Sequence, residues 1–423
     1  MIKLFEHQIV GKNRLLKNNR YCLFWEMGTG KTYTALAALQ ELPPSRILIS
    51  APKQVLNRVW LNDDTLKLFD LSKHQVDYIN YEKVPRNKNF IHEKYDVMVL
   101  DEVHKLKGLK TKTSKKYKVV AEKAKYVWGL TGTPVANSYA DTYCIYKNMG
   151  IDVFNNMSYN EFIERYYHIK RIAVAPGSYM TYPMFIGVKR QNEAEVITKI
   201  SEASMFKRMV DCQDLPAKRT DVVMVKGMMT PEYLDIMNEG VIDMEEEGYT
   251  DTFLRLTALQ KAHQASNGYI YNKIGEPIPI TKNKKLDTLK DLLSDMLAET
   301  EKVIIVYNFK EDLKQLISLA ENEKYTYTLD SKEFEENNNQ ILFIQFSRGE
   351  GLNLQFCNHM IFYTYSWSYV SYDQMAARIY RTGQTKKVMY YILMSAGTIE
   401  SKIWNAIRTK QSVNDFIKEV LYE

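Results

Sequence analysis

Short apolar runs that stop at polar residues constrain this chain most. Arg46-Ile47-Leu48-Ile49-Ser50 runs into Ala51-Pro52. Asp96-Val97-Met98-Val99-Leu100 runs into Asp101, and Tyr126-Val127-Trp128-Gly129-Leu130 into Thr131-Gly132-Thr133-Pro134. Four more runs lie further along the chain: 302–307, 340–344, 359–363 and 388–393. Runs without polar alternation read as strands buried on both faces, as in parallel sheets, and helical patterns such as Leu286 to Met296 separate them. In open α/β sheets ligands bind past the carboxyl ends of the strands, where these polar residues sit. The layout occurs twice, and 423 residues exceed one compact core. The expectation is α/β: two parallel-sheet lobes, 1–226 and 227–423, each with a helical protrusion. Residues from about 138 to 285 read as helix-rich, with a hairpin-like stretch near Ala175-Pro176-Gly177. The end reads as an amphipathic helix through Ile403, Trp404, Ile407, Val413, Phe416 and Val420.

Hydrophobic residues at 45% and charged residues at 26% are an ordinary globular balance. No apolar run is long enough to span a bilayer, and the charged N-terminus lacks a signal-peptide pattern, so a cytoplasmic protein is expected. Cys22, Cys144, Cys212 and Cys357 have no CxxC spacing and read as small core hydrophobes. The net charge of +6 fits a polyanionic partner. Lys105, Lys107, Lys110, Lys112, Lys115, Lys116 and Lys118 lie close together, as a solvated face or a polyanion contact. Richness in Lys, Asn, Tyr and Ile points to an AT-rich genome, such as a phage or mobile element.

Trp25-Glu26-Met27-Gly28-Thr29-Gly30-Lys31-Thr32 resembles a P-loop, with Trp25 in place of the first Gly. Glycines let backbone N–H groups turn inward and cradle phosphates at a helix start. Lys31 then reaches the β- and γ-phosphates, and the Thr32 hydroxyl holds Mg²⁺. Asp101-Glu102 directly after a strand is the acidic half of such a site: Asp101 for Mg²⁺, Glu102 to orient and deprotonate water. Arg378 and Arg381, three residues apart, are read as sharing one helix face and as cations for the γ-phosphate.

Together these residues resemble superfamily 2 helicases, and within them the Swi/Snf-type DNA translocases. Further motifs carry the resemblance. Phe5-Glu6-His7-Gln8 looks like the adenine-recognising segment, with Gln8 as reader. Ala51-Pro52 with Trp60 resembles a motif that touches the nucleic-acid backbone. Asp101-Glu102-Val103-His104 is a DEAH-like box with Val for Ala. Gly129 to Pro134, with Asn137, is similar to the motif that couples hydrolysis to lobe movement. Phe206-Lys207-Arg208 with Leu215 to Lys218 resembles a family-specific block. Gly349-Glu350-Gly351-Leu352-Asn353-Leu354, then Trp367, then Gln374 to Gln384 look like the fifth and sixth motifs, and Gly397-Thr398-Ile399-Glu400 is a typical ending. Arg348 and Tyr380 depart from the family, replacing a small residue and a His.

The resemblance implies two RecA-like lobes with helical insertions between them, sharing one ATP with Mg²⁺. The nucleotide is expected at Gln8, Met27, Gly28, Thr29, Gly30, Lys31, Thr32, Gly351, Arg378 and Arg381. Catalysis falls to Lys31, Asp101, Glu102, Arg378 and Arg381, and metal binding to Thr32 and Asp101. Candidates for DNA contact are Lys53, Thr133, Lys207, Arg208, Arg348, Asn353 and Trp367, mostly to phosphates. Trp367 has a second reading as a core aromatic. The implied function is an ATP-driven DNA translocase tracking duplex DNA in replication, recombination or remodelling of protein–DNA complexes. A strand-separating helicase on DNA or RNA, and a motor subunit for a separate nuclease, stay open as alternatives. A non-catalytic DNA scaffold is the contrasting class.

Overall fold

A computed structural model describes residues 3–132, 138–173, 181–209, 211–212, 215–237, 252–272, 274–349 and 351–409. The chain divides between Asp214 and Leu215 into two compact units.

In the first unit the strands are β1 (Arg20–Trp25), β2 (Arg46–Ala51), β3 (Gln75–Asn80), β4 (Val97–Asp101), β5 (Tyr126–Thr131) and, after an antiparallel hairpin of β6 (Tyr167–Ala173) and β7 (Thr181–Val188), β8 (Ser204–Lys207). Six of them form one parallel sheet in the order β3-β2-β4-β5-β1-β8. Its central strands β2, β4, β5 and β1 are largely apolar because both faces are covered. Met98 and Leu100 of β4 face one core with Cys22, Phe24 and Tyr146, while Val97 and Val99 face another with Trp25, Leu36 and Trp60. The helix after β1, α2 (Lys31–Glu41), is rich in Ala and Leu, strong helix formers, and is buried from Thr34 to Leu39.

In the second unit β9 (Lys218–Val225), β12 (Val303–Tyr307), β13 (Tyr327–Thr328), β14 (Ile341–Gln345), β15 (His359–Phe362) and β16 (Val388–Ser395) form another parallel sheet, ordered β13-β14-β12-β15-β16-β9. A small pair, β10 (Tyr269–Tyr271) with β11 (Pro277–Pro279), lies apart from it in the topology. Ile304 and Val306 face one core, Val303 and Ile305 the other. The two parallel sheets are the expected α/β class. All seven apolar runs are strands. The expected boundary at 226 moves, because β9 pairs along its whole length with β16 and so belongs to the second unit. The hairpin is present, but its tip, with Ala175-Pro176-Gly177, lies outside the described residues, as do Val413, Phe416 and Val420. Cys22, Cys144 and Cys357 are buried as expected, and Cys212 is only half-buried. Among the described residues, no helix is long and apolar enough to cross a membrane, and no three His, Cys, Asp or Glu gather as metal ligands.

A buried polar hub joins the helices of the second unit to its sheet. Lys285 and Glu400, both fully buried, pair at 2.5 Å. Lys285 also donates to Asn267 Oδ1 at 3.1 Å, and the Ser395 N–H donates to Glu400 at 2.8 Å. Burial pushes the Glu400 carboxyl up, but Lys285 and His263 outweigh it and hold it below the ordinary value. Asn267 donates in turn to Asp312, which also accepts from Tyr269 and Thr364. Removing one partner of such a pair strands a buried charge. Lys285→Met is expected to destabilise this unit by about 3–5 kcal/mol, seen as lost amide-exchange protection in β12 and β15. Adding Glu400→Gln should recover part of it, since the amide still accepts from Ser395.

Candidate nucleotide site and nucleic-acid contacts

The turn after β1 is shaped by two glycines in the left-handed region, Gly28 and Gly30, both at φ 82°. A side chain at Gly30 has no room: its Cβ would lie 2.0 Å from Gln8 Nε2. Gln8 and His7, on helix α1 (Glu6–Lys17), both reach the Thr29 carbonyl, at 3.3 and 2.9 Å. The Thr29 hydroxyl donates back to the Glu26 carbonyl at 2.7 Å. Lys31, nearly buried, folds over the loop and donates to the carbonyls of Trp25 and Glu26 at 2.7 and 3.1 Å. Neutral carbonyls hold the ammonium in place without neutralising its charge, so an anion can draw it away. Thr32 is half-buried at the second position of α2, and Met27 packs beside Gly132.

β4 and β1 lie on either side of β5, so their carboxyl ends meet at one edge. Asp101 ends β4 and is buried. Its Oδ2 accepts from the Trp60 indole at 2.8 Å and its Oδ1 from the Glu102 N–H at 3.0 Å. Burial and the Glu102 charge push its carboxyl up to about 6, while the Trp60 hydrogen bond and the Lys31 charge pull the other way. Lys31 and Asp101 therefore share one electrostatic site. Glu102 adopts a left-handed backbone, φ 52° and ψ 48°. That costs a residue with a Cβ on the order of 1 kcal/mol. Its Oε2 accepts from Thr131 at 3.2 Å and lies 3.2 Å from His104 Nδ1, which is 2.9 Å from the Thr131 hydroxyl. With Thr131 donating to Glu102, His104 carries its hydrogen on Nδ1. The ends of β4 and β5 are thus tied through the acidic pair.

Lys207 ends β8, whose carbonyl accepts the Glu26 N–H at 2.9 Å, and Arg208 pairs with Asp211 at 2.9 Å. Both therefore border the glycine turn. Lys53 is exposed just past β2. Thr133, Pro134, Asn137 and Glu350 lie outside the described residues. Trp60, of the same motif as Ala51-Pro52, is fully buried. The lysine cluster divides: Lys116 caps the carbonyls of Val84, Pro85 and Asn87, Lys107 faces Asp141 at 3.8 Å, and the other five are exposed.

In the second unit the helix Tyr369–Ala376 stops before Arg378. The next turns carry i→i+3 hydrogen bonds, Met375 to Arg378 and Arg381 to Gln384. The single helix face expected for Arg378 and Arg381 is therefore absent. Burial of Ile379 and Gln384, with Gln384 donating to the Cys357 and Ile379 carbonyls, bends the chain instead. Arg378 is nearly buried, and its carbonyl accepts the Leu354 N–H. Arg381 donates to the Leu352 carbonyl at 3.2 Å and to the Asn353 side chain. The loop with Gly351, at φ 77°, and the arginine segment thus meet. Tyr380 carries Lys218 over its ring at 4.7 Å. Arg348 is exposed, and Trp367 is 40% exposed, which removes its core reading. A cavity lined by Asn308, Ser347, Gly349, Ser366, Ser371 and Gln374 opens among the loops past β12, β14 and β15.

A glycine turn with a lysine, and an acidic pair one strand away, define a P-loop type of nucleotide site on a parallel sheet. Family comparison agrees. The SNF2-related domain matches residues 65–267, and the helicase conserved C-terminal domain matches residues 284–383. The chain thus carries an SNF2-related domain followed by a helicase conserved C-terminal domain. The glycine turn lies ahead of both matches, so its assignment rests on the geometry above. The chain is 24% identical to the human DNA repair and recombination protein RAD54B, over 92% of this chain and 51% of that protein. It is 22% identical to the uncharacterized ATP-dependent helicase YqhH of Bacillus subtilis, over 96% and 77%. It spans about half the length of RAD54B. Among solved structures it is similar to the Sulfolobus solfataricus SWI2/SNF2 ATPase core in complex with dsDNA, at 24% identity and a TM-score of 0.43, over 99% of this chain and 93% of that one.

The raised carboxyl of Asp101 makes stability depend on pH. A carboxyl whose folded pKa of about 6 exceeds its unfolded value near 3.8 favours folding when protonated, and that contribution fades as pH rises through 6. In nucleotide-free protein, the stability of wild type relative to Asp101→Asn should therefore improve by about 1 kcal/mol from pH 8 to pH 5, measured by urea unfolding.

Proposed function

We propose that the protein is an ATP-dependent translocase on double-stranded DNA. One observation carries this: Lys31, Asp101 and Glu102 converge on one sheet edge in a chain that carries an SNF2-related domain. The glycine turn would cradle the phosphates, Lys31 would leave its carbonyls for the β- and γ-phosphates, and Gln8 would read the adenine. Glu102, held by Thr131 and His104, would orient and deprotonate the attacking water. Arg378 and Arg381 are the proposed cations for the transferred phosphoryl group, with Gly351 beside the nucleotide.

Mg²⁺ fits the donors present. It takes oxygen ligands, commonly one or two carboxylates plus substrate phosphates. Asp101 supplies the carboxylate and Thr32 a hydroxyl. The ion, when bound, neutralises phosphate charge. DNA contact is assigned to Lys53, Lys207, Arg208, Arg348, Asn353, Trp367 and Thr133, chiefly through phosphates, so binding should weaken steeply with salt. RAD54B is named for DNA repair and recombination, which supports a role in recombination.

ATP hydrolysis by the purified protein tests this, alone and with duplex DNA, single-stranded DNA or RNA. Duplex DNA should stimulate it strongly, and Glu102→Gln should lower the stimulated rate by on the order of 10²-fold or more while DNA binding persists. Stimulation only by single strands or RNA would replace the translocase with a strand-separating helicase. Unchanged hydrolysis in Glu102→Gln would overturn the assigned chemistry. Trp367→Ala should weaken DNA stimulation and leave the unstimulated rate unchanged.

A further inference from the structure

Trp60 does something that packing alone does not require. It ends a π-helical turn, Leu56–Trp60, closed by the Leu61 N–H to the Leu56 carbonyl at 2.8 Å. The additional residue in such a turn rotates the next side chains by about 100° relative to an α-helix. Here the ring enters the core against the buried face of α2 and its N–H meets Asp101 Oδ2 at 2.8 Å. Of the four buried tryptophans, Trp25, Trp128 and Trp404 have no hydrogen bond from their indole nitrogens to the described residues. A buried indole in this fold is thus tolerated as apolar bulk. Trp60 alone among the four is spent on a polar partner, and that partner is the acidic residue of the nucleotide site.

The two hydrogen bonds on Asp101 act together. Trp60 holds one carboxylate oxygen and the Glu102 N–H the other, so the carboxylate plane is fixed. Each oxygen keeps a further lone pair. Partners that orient a ligating carboxylate set metal affinity without touching the metal.

We infer that Trp60 is a positioning residue that aims the Asp101 carboxylate at the nucleotide-bound Mg²⁺. This rests on the ATPase reading above, and the test separates the two. The full chain is titrated with a fluorescent ADP analogue, with Mg²⁺ and with EDTA, and its melting temperature is recorded. Wild type should bind more tightly with Mg²⁺. Trp60→Phe keeps the ring bulk and deletes the donor. It should keep the EDTA affinity within about twofold and lose about tenfold or more of the Mg²⁺-dependent gain. Trp60→His places a ring N–H two bonds from Cγ, as in the indole. It should melt lower yet regain most of the Mg²⁺ dependence, a split that lost packing does not produce. A folded Trp60→Phe with the wild-type Mg²⁺ gain overturns the inference and leaves the ATPase reading standing. If Trp60→Phe does not fold, a folded Trp60→His without Mg²⁺ dependence overturns it equally. Wild type with no Mg²⁺-dependent binding at all would sink the ATPase reading, and the inference with it.

Discussion

Both sheets are parallel, with central strands covered on both faces, and the rest of the molecule depends on that. A strand with two buried faces has no place for a charged side chain along its length. In the central strands charged residues are confined to the ends, and in a parallel sheet the carboxyl ends all point one way. In the first unit this brings the turn after β1, Asp101 at the end of β4 and Thr131 at the end of β5 to one edge. The edge is only partly dry, so its charges are few and each is held by named partners.

The same edge concentrates the costs. Asp101 keeps a carboxyl where burial and a neighbouring Glu oppose its charge, and Glu102 holds a left-handed backbone. Neither choice favours the folded chain by itself. Strain and opposed charge persist where the surroundings over-determine them, here through Trp60, Thr131 and His104. The second unit solves a different problem. Its buried Lys285–Glu400 pair and Asp312 are satisfied by surrounding polar groups and anchor helices to the sheet, and Asp312 accepts from Thr364, whose hydroxyl in turn accepts from the Asn308 N–H beside the cavity.

The glycine turn, the acidic pair and the two arginines were legible because each is a local pattern, with spacing set by neighbours in the chain. Trp60 was legible as part of a motif, but its partner was not. Nothing near it in sequence shows that a π-turn drives the ring inward to a carboxylate 41 positions on. For Arg378 and Arg381 the spacing was legible, but the helical placement read from it does not hold. The helix stops at Ala376 because Ile379 and Gln384 are needed inside the core, a demand invisible from i, i+3 spacing. β9 was missed as part of the second unit. Its burial alternates weakly, and only its pairing with β16 identifies it.

The sequence by itself determined the class of sheet, the order of the motifs and the chemistry available to each, since apolar periodicity and glycine placement act over a few residues. Tertiary structure alone decided which polar groups meet: Gln8 over Gly30, Thr131 with Glu102, Arg381 with Asn353 and Trp60 with Asp101. Those pairings depend on strand order and on where each helix ends. Both are settled by burying the cores, over separations that no local pattern spans.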